Sequence, residues 1–497
     1  MKKKNNMLKK IKKSYDKFSR WVPPKLYTFF VVSCVIIFIS CFSFEIDNDY
    51  WFLINLGRDI LNHGIPTVEP FTFHVGFEFI AQQWLTDVIF YLIYDWFDII
   101  GLFIFSLLSI STISCLVYKL SKILSENIKI STFITIIFTI VFGVTFFRTR
   151  PQLFDTMIFL LEFILLELYI KTKNKKYLIG LPILSIIMIN LHSSIWLMIF
   201  VFLLPYYVEK ILFRKKINYE IKPIIISTLI MLLCGLVNPY GIKAITYLFN
   251  SYGIDEINNF IGEMKPLNIV NGMFLFIYIG IVFYSFYFNK GKNKARYFFL
   301  MLGTLYLGLS HYRGMLYFLV CNIPALAFNF KTIFKEKVPQ EKFYKSKLNN
   351  WVIICSLLVY TSVLGYNYFS TTFKEKSKPT LEKVGEYLLN NVDKSAKIYT
   401  NYNDGAYIEF IGYKCYIDPR AEVFLKSNNK KEDIFIEYYN LSTRKIDYRD
   451  FLNKYNFDYI VVSSIENLYS DLEYVDNYEL VFEEKKDDYN YRIYKKA

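Results

Sequence analysis

Two aspartates two residues apart, Asp47 and Asp49, stand where an apolar run gives way to a polar stretch. A carboxylate at such a water–lipid boundary can take a proton from a hydroxyl or amine acceptor. It can also hold a divalent cation, Mg or Mn, against a phosphate. A second pair, Arg148 and Arg150, sits at the end of another apolar run. Guanidinium groups match phosphate oxygens bidentately, so a phosphate or pyrophosphate leaving group is their natural partner, with snorkelling to lipid headgroups as the competing role. His192, close to Asn190, and the pair His311 and Arg313 repeat the pattern. They suit phosphate, a metal or an anionic headgroup, against a purely structural role at a helix end. Glu69, His63, His74 and Trp84 are further candidates in the stretch after Asp49. Asp47 or Asn48 also has a plainer reading as the cap of the next helix, since a short acceptor there satisfies orphan N–H groups. No Walker loop, GxGxxG, HExxH or GxSxG pattern occurs, which argues against an ATPase, a dinucleotide enzyme, a zincin or a serine hydrolase.

The elements that must position these residues are membrane helices. With 54% hydrophobic and 19% aromatic residues among 497, and runs long enough to span a bilayer, the chain reads as a polytopic α-helical membrane protein. Eleven spans are expected near 26–44, 98–119, 130–147, 152–170, 177–191, 195–213, 221–237, 272–289, 295–310, 314–330 and 350–370. The net charge of +14 is unevenly spread: residues 374–497 carry 20 basic against 23 acidic side chains, leaving 38 against 21 elsewhere. That excess falls in short connections at 119–129, 171–176, 214–216, 290–294 and 331–347, where it orients the chain in the membrane rather than binding nucleic acid. With eleven spans all of these connections fall on the cytoplasmic side, giving N-terminus in and C-terminus out.

The polar clusters and all four histidines then share the outer face. Ionisable groups at membrane depth are costly and mark function, so the working face is expected to be extracytoplasmic, on a multi-pass protein of the plasma membrane. The division is a basic cytoplasmic N-terminus (1–25), a membrane domain (26–373) with a large first outer loop (45–84), and a small extracytoplasmic α/β domain (374–497). In that loop Asn55, Arg58, Asp59 and Asn62 share one helical face and Phe52, Leu53, Leu56 and Ile60 the other, the pattern of a helix lying on the membrane surface. The tail reads as helices at 381–390 and 448–455, strands at 397–400, 414–417 and 459–463, and a hairpin at 478–484 and 489–494. The seven cysteines are scattered without metal-ligand spacing and read as small core residues.

Taken together, Asp47-Asn48-Asp49-Tyr50-Trp51 after the first span, a following helix ending Gly64-Ile65-Pro66, and Glu69 before Pro70-Phe71 resemble the first outer loop of type C (GT-C) membrane glycosyltransferases. These include the protein mannosyltransferases, the aminoarabinose transferases and an uncharacterised bacterial branch. Within that branch Arg150-Pro151-Gln152, Asn190-Leu191-His192, Asn238-Pro239-Tyr240-Gly241, Asn403-Asp404-Gly405-Ala406-Tyr407 and Ile417-Asp418-Pro419-Arg420 also look alike. The chain departs from it with Ser193 where the branch often has Gly, and Pro419 where it often has Gly. The resemblance implies an inverting transfer of a sugar from a polyprenyl-phosphate donor to a cell-envelope acceptor (glycopolymer, lipid or protein). Asp47 would be the loop carboxylate, with Asp49 as second choice or metal partner. The alternatives are a transporter or flippase of lipid-linked sugars, with Asp155, Glu162 and Glu167 as its path through the bilayer, and a membrane anchor that presents the tail.

Overall fold

The computed structural model describes residues 24–214, 217–251, 253–289, 292–334, 347–485 and 490–497. Residues 1–23 of the basic N-terminus, parts of the connections at 214–216, 290–294 and 331–347, and the hairpin turn at 486–489 lie outside the described residues. The apolar runs fall on helical segments. They comprise α1 (Pro24–Ser43), the loop helix α2 (Asp49–His63), α3 (Trp84–Ser125), α4 (Ile128–Thr145), α5 (Gln152–Thr172), α6 (Gly180–Leu191), α7 (Met198–Leu212) and α8 (Lys222–Cys234). Two short helices, α9 (Ile242–Ser251) and α10 (Asp255–Phe260), lead to α11 (Ile269–Phe288), α12 (Ala295–Ser310), α13 (Met315–Cys321), α14 (Ile323–Ile333) and α15 (Lys347–Asn367).

Among the described residues three helices are each long and apolar enough to cross a membrane, Trp84–Ser125, Ile128–Thr145 and Ser193–Leu212. The pair Tyr312–Cys321 and Ile323–Ile333, bent by 45°, makes a fourth. Thr28–Ser43, Lys222–Cys234 and Gly272–Phe288 are shorter apolar helical stretches; α6 has 12 residues. Large apolar side chains such as Phe42, Leu108, Phe133, Leu204, Leu233 and Tyr366 point outward from these helices, a surface that suits lipid rather than water. The acids of α5 find separate surroundings. Asp155 meets His192, Glu167 pairs with Arg296, which also holds Glu209, and Glu162 is buried with neither carboxylate oxygen hydrogen-bonded.

The tail forms α16 (Glu382–Asn391), β1 (Lys397–Tyr399), α17 (Gly405–Phe410), β2 (Lys414–Cys415), α18 (Ile434–Ser442), α19 (Tyr448–Tyr455), β3 (Tyr459–Ser463), β4 (Tyr478–Glu484) and β5 (Tyr491–Lys496). The sheet order is β2-β1-β3-β5-β4. β1 lies parallel to both β2 and β3, and β5 is antiparallel to β3 and β4. Val461 and Val462 of β3 are buried on opposite faces of the sheet, as a strand covered on both sides requires.

Two expectations change. The loop helix α2 does not lie on a membrane surface: residues Tyr50 to Gly57 are all buried, Asn55 included. The tail covers one side of it. Trp51 packs its ring against Tyr407 and Phe410 at 5.1 and 4.9 Å, and Arg58 donates to the Phe410 carbonyl at 2.9 Å. On another side α2 meets α3 so closely that a Cβ on Gly57 would lie 2.1 Å from the Asp87 carbonyl oxygen. The core of the tail is also shared with the loop. Leu56, Ile60, Phe77, Phe79 and Ala81 of the loop share one hydrophobic cluster with Tyr399, Tyr416, Phe424, Phe435, Phe451 and Val462 of the tail. The division at residue 374 therefore cuts through a common core.

Candidate functional site

The first outer loop is held in place by motifs from distant parts of the chain. Tyr240 of the Asn238-Pro239-Tyr240-Gly241 turn donates its hydroxyl to the Pro66 carbonyl at 2.7 Å and accepts from the Ala81 N–H at 3.1 Å. Trp84 Nε1 donates to Asn190 Oδ1 at 3.0 Å, while the Asn190 amide caps Ile186 and Val237 carbonyls at 2.8 Å each. Gln82 reaches Glu422 of the tail at 2.6 Å, and its carbonyl accepts from the Ser193 N–H at 2.7 Å. These bonds close the loop, the ends of α4 and α6, the 262–264 turn and the tail around one cavity of about 740 Å³.

Asp47, Asp49, Arg148, Arg150, His192 and Arg313 all line that cavity. At its head Arg150 ion-pairs with Asp47, with Asp49 at 2.9 Å and with Glu263 at 3.0 Å. Arg148 meets Asp47 at 3.0 Å and is half exposed, and Arg313 meets Glu263 at 3.4 Å. Three carboxylates thus face three guanidinium groups. The capping role does not fit Asn48, whose side chain makes no cap bond; Asp47 accepts the Asp49 N–H at 3.4 Å with the oxygen turned away from the arginines.

The two aspartates differ electrostatically. Burial works against a charged Asp47, yet Arg150 and Arg148 beside it hold its carboxyl below its ordinary value. Burial, reinforced by Asp47 and Glu263 against the pull of Arg150, pushes the Asp49 carboxyl up to about 6. Glu263, about a third exposed and flanked by Arg150 and Arg313, stays below its ordinary value as those guanidinium groups outweigh its partial burial. His192 lines the same cavity, with Nδ1 2.7 Å from Asp155 Oδ2. With Nδ1 engaged by the Asp155 carboxyl, Nε2 is the ring nitrogen left for the cavity.

Asp47, Asp49 and Glu263 have the hard oxygen donors that Mg or Mn prefers. The point they share is filled by the Arg150 guanidinium, and among the described residues no group of three or more His, Cys, Asp or Glu is gathered to hold an ion. The arrangement does not fit a divalent cation.

The remaining candidates lie elsewhere. His63 is exposed and pairs with Asp59 at 2.7 Å. His74 lies between loop and tail, stacked on Phe77 at 5.0 Å and bonded to the Tyr416 carbonyl at 2.9 Å. Glu69 is buried beneath Arg420 at 2.7 Å; Trp84 positions Asn190, and His311 stands beside the cavity without lining it. Conversely Glu263, Tyr402 and Glu422 join the site without having stood out in the sequence, and Asp155, expected on a path through the bilayer, instead holds His192. The available signal for Glu263 was a lone acid in a polar outer segment, Gly262 to Pro266.

No family model matches the sequence, and no curated protein matches it. Among solved structures the chain is similar to an oligosaccharyltransferase of Archaeoglobus fulgidus, crystallised tethered to an acceptor peptide containing an NVT sequon through a disulfide. The identity is 10% and the TM-score 0.55, covering 87% of this chain and 68% of that one. The likeness is one of fold.

Proposed function

We propose that the chain is a glycosyltransferase that moves a sugar from a polyprenyl-phosphate donor to an acceptor on the outer face of the plasma membrane, with inversion at the anomeric carbon. The run of basic connections, read with eleven spans, N-terminus in and C-terminus out, supports putting the cavity on that face. The single observation that carries the reading is the convergence of Asp47, Asp49, Arg148, Arg150 and His192 on one cavity. The similarity of fold to the archaeal oligosaccharyltransferase supports it.

Asp49 is the base. Asp47 has two guanidinium groups on its carboxylate and is held ionised by them, whereas Asp49 titrates at about 6, near the pH at which a general base is both unprotonated and able to hold the proton it takes. The acceptor hydroxyl or amine attacks the anomeric carbon, its proton passes to Asp49, and the bond from that carbon to the phosphate oxygen breaks. The phosphate carries away the electron pair. Arg150, ion-paired to three acids, holds the frame and neutralises the carboxylates. Arg148 has a single acid partner and half its side chain in solvent, so it is the guanidinium available to the departing phosphate, with His192 lining the same cavity.

Purified protein incubated with radiolabelled polyprenyl-phosphate hexoses tests this. Asp49→Asn is expected to lower transfer about 10²- to 10⁴-fold, and equal transfer by wild type, Asp47→Asn and Asp49→Asn would remove the loop from the chemistry.

A further inference from the structure

A second cavity, of about 490 Å³, opens in the tail, away from the acidic pair. Its floor is the end of the parallel part of the sheet. Tyr399 ends β1 and Asn401 follows it, and Ile465 and Glu466 follow β3, so both strands deliver their carboxyl ends to it. β1 has β2 on one side and β3 on the other, which makes this the point where the chain's crossovers diverge. In open α/β sheets such crevices hold ligands. The volume lies within the roughly 300–1,000 Å³ of small-molecule sites.

The lining is specific in chemistry. Glu466 fixes the floor by accepting from the Ser463 N–H at 2.8 Å and the Asn401 amide at 2.9 Å. The rings of Phe260 and Tyr448 are half-buried walls from two different parts of the chain, and Tyr438 stands behind Phe260 at 5.6 Å. The lining carries three acids, Asp447, Glu466 and Asp471, against two bases, Arg444 and Lys445, and Arg444 is already paired to Asp471 at 3.2 Å. An anionic ligand would meet more acids than bases here. Ring walls with planar amide and carboxylate groups, and an acid in excess that turns anions away, suit a neutral polyhydroxylated ligand, whose C–H faces pack on aromatic rings while its hydroxyls bond the rim. The two cavities adjoin at Asn403, which is exposed and lines both.

We propose that the tail cavity binds a saccharide unit of the acceptor, so that the acceptor is a glycan chain running past Asn403 toward Asp49. This rests on the glycosyltransferase reading and names its acceptor class. Full-length protein in nanodiscs, titrated calorimetrically with a panel of neutral tetrasaccharides (chitotetraose, maltotetraose, cellotetraose, mannotetraose) and with a neutral tetrapeptide, tests it. At least one tetrasaccharide is expected to bind. Tyr448→Ala is expected to weaken it about three- to tenfold with an unchanged melting temperature, and Asp49→Asn to leave it unaltered. Phe260→Ala serves as the second wall should Tyr448→Ala fail to fold. No binding by any member of the panel, binding indifferent to both ring substitutions, or binding of the tetrapeptide alone overturns the proposal. Because binding is read without transfer, saccharide binding that persists while Asp49→Asn retains full transfer would sink the catalytic reading and leave this site standing.

Discussion

The two aspartates two residues apart are chemically unlike because of what stands beside each. Asp47 is the counter-ion of two arginines, and Asp49 shares one of them with Glu263. If Asp49 takes the proton, transfer must rise with pH as its carboxyl ionises, with a midpoint near 6. A pH–rate profile flat between 5 and 8 would assign the proton elsewhere. Arg148→Ala should lower kcat by about 10²-fold, the scale of removing one charged donor at a developing anion, with Arg148→Lys recovering part of it. With Arg150 at the centre of the three carboxylates, chelation should leave transfer unchanged. A loss on adding EDTA that Mn restores would show a metal in its place. The sequence exposed Asp47, Asp49, Arg148 and Arg150 because each stood where an apolar run ended. It hid Glu263 and the partnership of Asp155 with His192, because their partners lie 113 and 37 residues away, a distance no local pattern reports.

At the scale of elements, the loop and the tail are held together by buried charge. Arg420 lies between Glu69 and Asp418, with the rings of Phe71 and Phe79 flanking its guanidinium at 5.2 and 5.3 Å. Removing it strands two buried carboxylates, so Arg420→Ala should destabilise the tail by about 3–5 kcal/mol, read as a fall in melting temperature. Glu409 beside this cluster behaves oppositely. Burial and the neighbouring Asp418 push its carboxyl well above the ordinary 4.5. A raised folded value means that its contribution to stability is complete below 4.5 and is lost as pH rises through that folded value. Glu409→Gln, which cannot ionise, should abolish that loss. The helix α2 shows why such docking was illegible: its periodicity marked an apolar face correctly, but nothing in a helical repeat states whether lipid or protein covers it, nor that the polar Asn55 would be enclosed as well.

For the whole molecule, the shared core means that the tail is not a detachable module. Loop residues Leu56, Phe77 and Phe79 would face water without Tyr416, Phe424 and Phe435. A chain ending at residue 373 should therefore aggregate or be degraded, as judged by size-exclusion chromatography in detergent, and a tail expressed alone should bind hydrophobic dyes. The helices and strands themselves were readable because apolar runs and alternation are local properties, as with β3 at Tyr459–Ser463. The sheet order and the sharing of the core are set by contacts between residues hundreds apart.

The missing side chain at Gly57 has a consequence for how the molecule can move. With no room for even a methyl group between α2 and the Asp87 carbonyl, the two helices are meshed like a key in its ward, and α2 cannot slide or rotate along α3 without a collision of backbones. Asp49 begins that helix. The acidic side of the cavity is in this sense a fixed jaw. On the proposed reaction, admission of a bulky donor and departure of product fall to the segment carrying Glu263 and the turn carrying Arg313, where Glu263 grips Arg150 and Arg313 grips Glu263 through ion pairs that can open and re-form without moving Asp49.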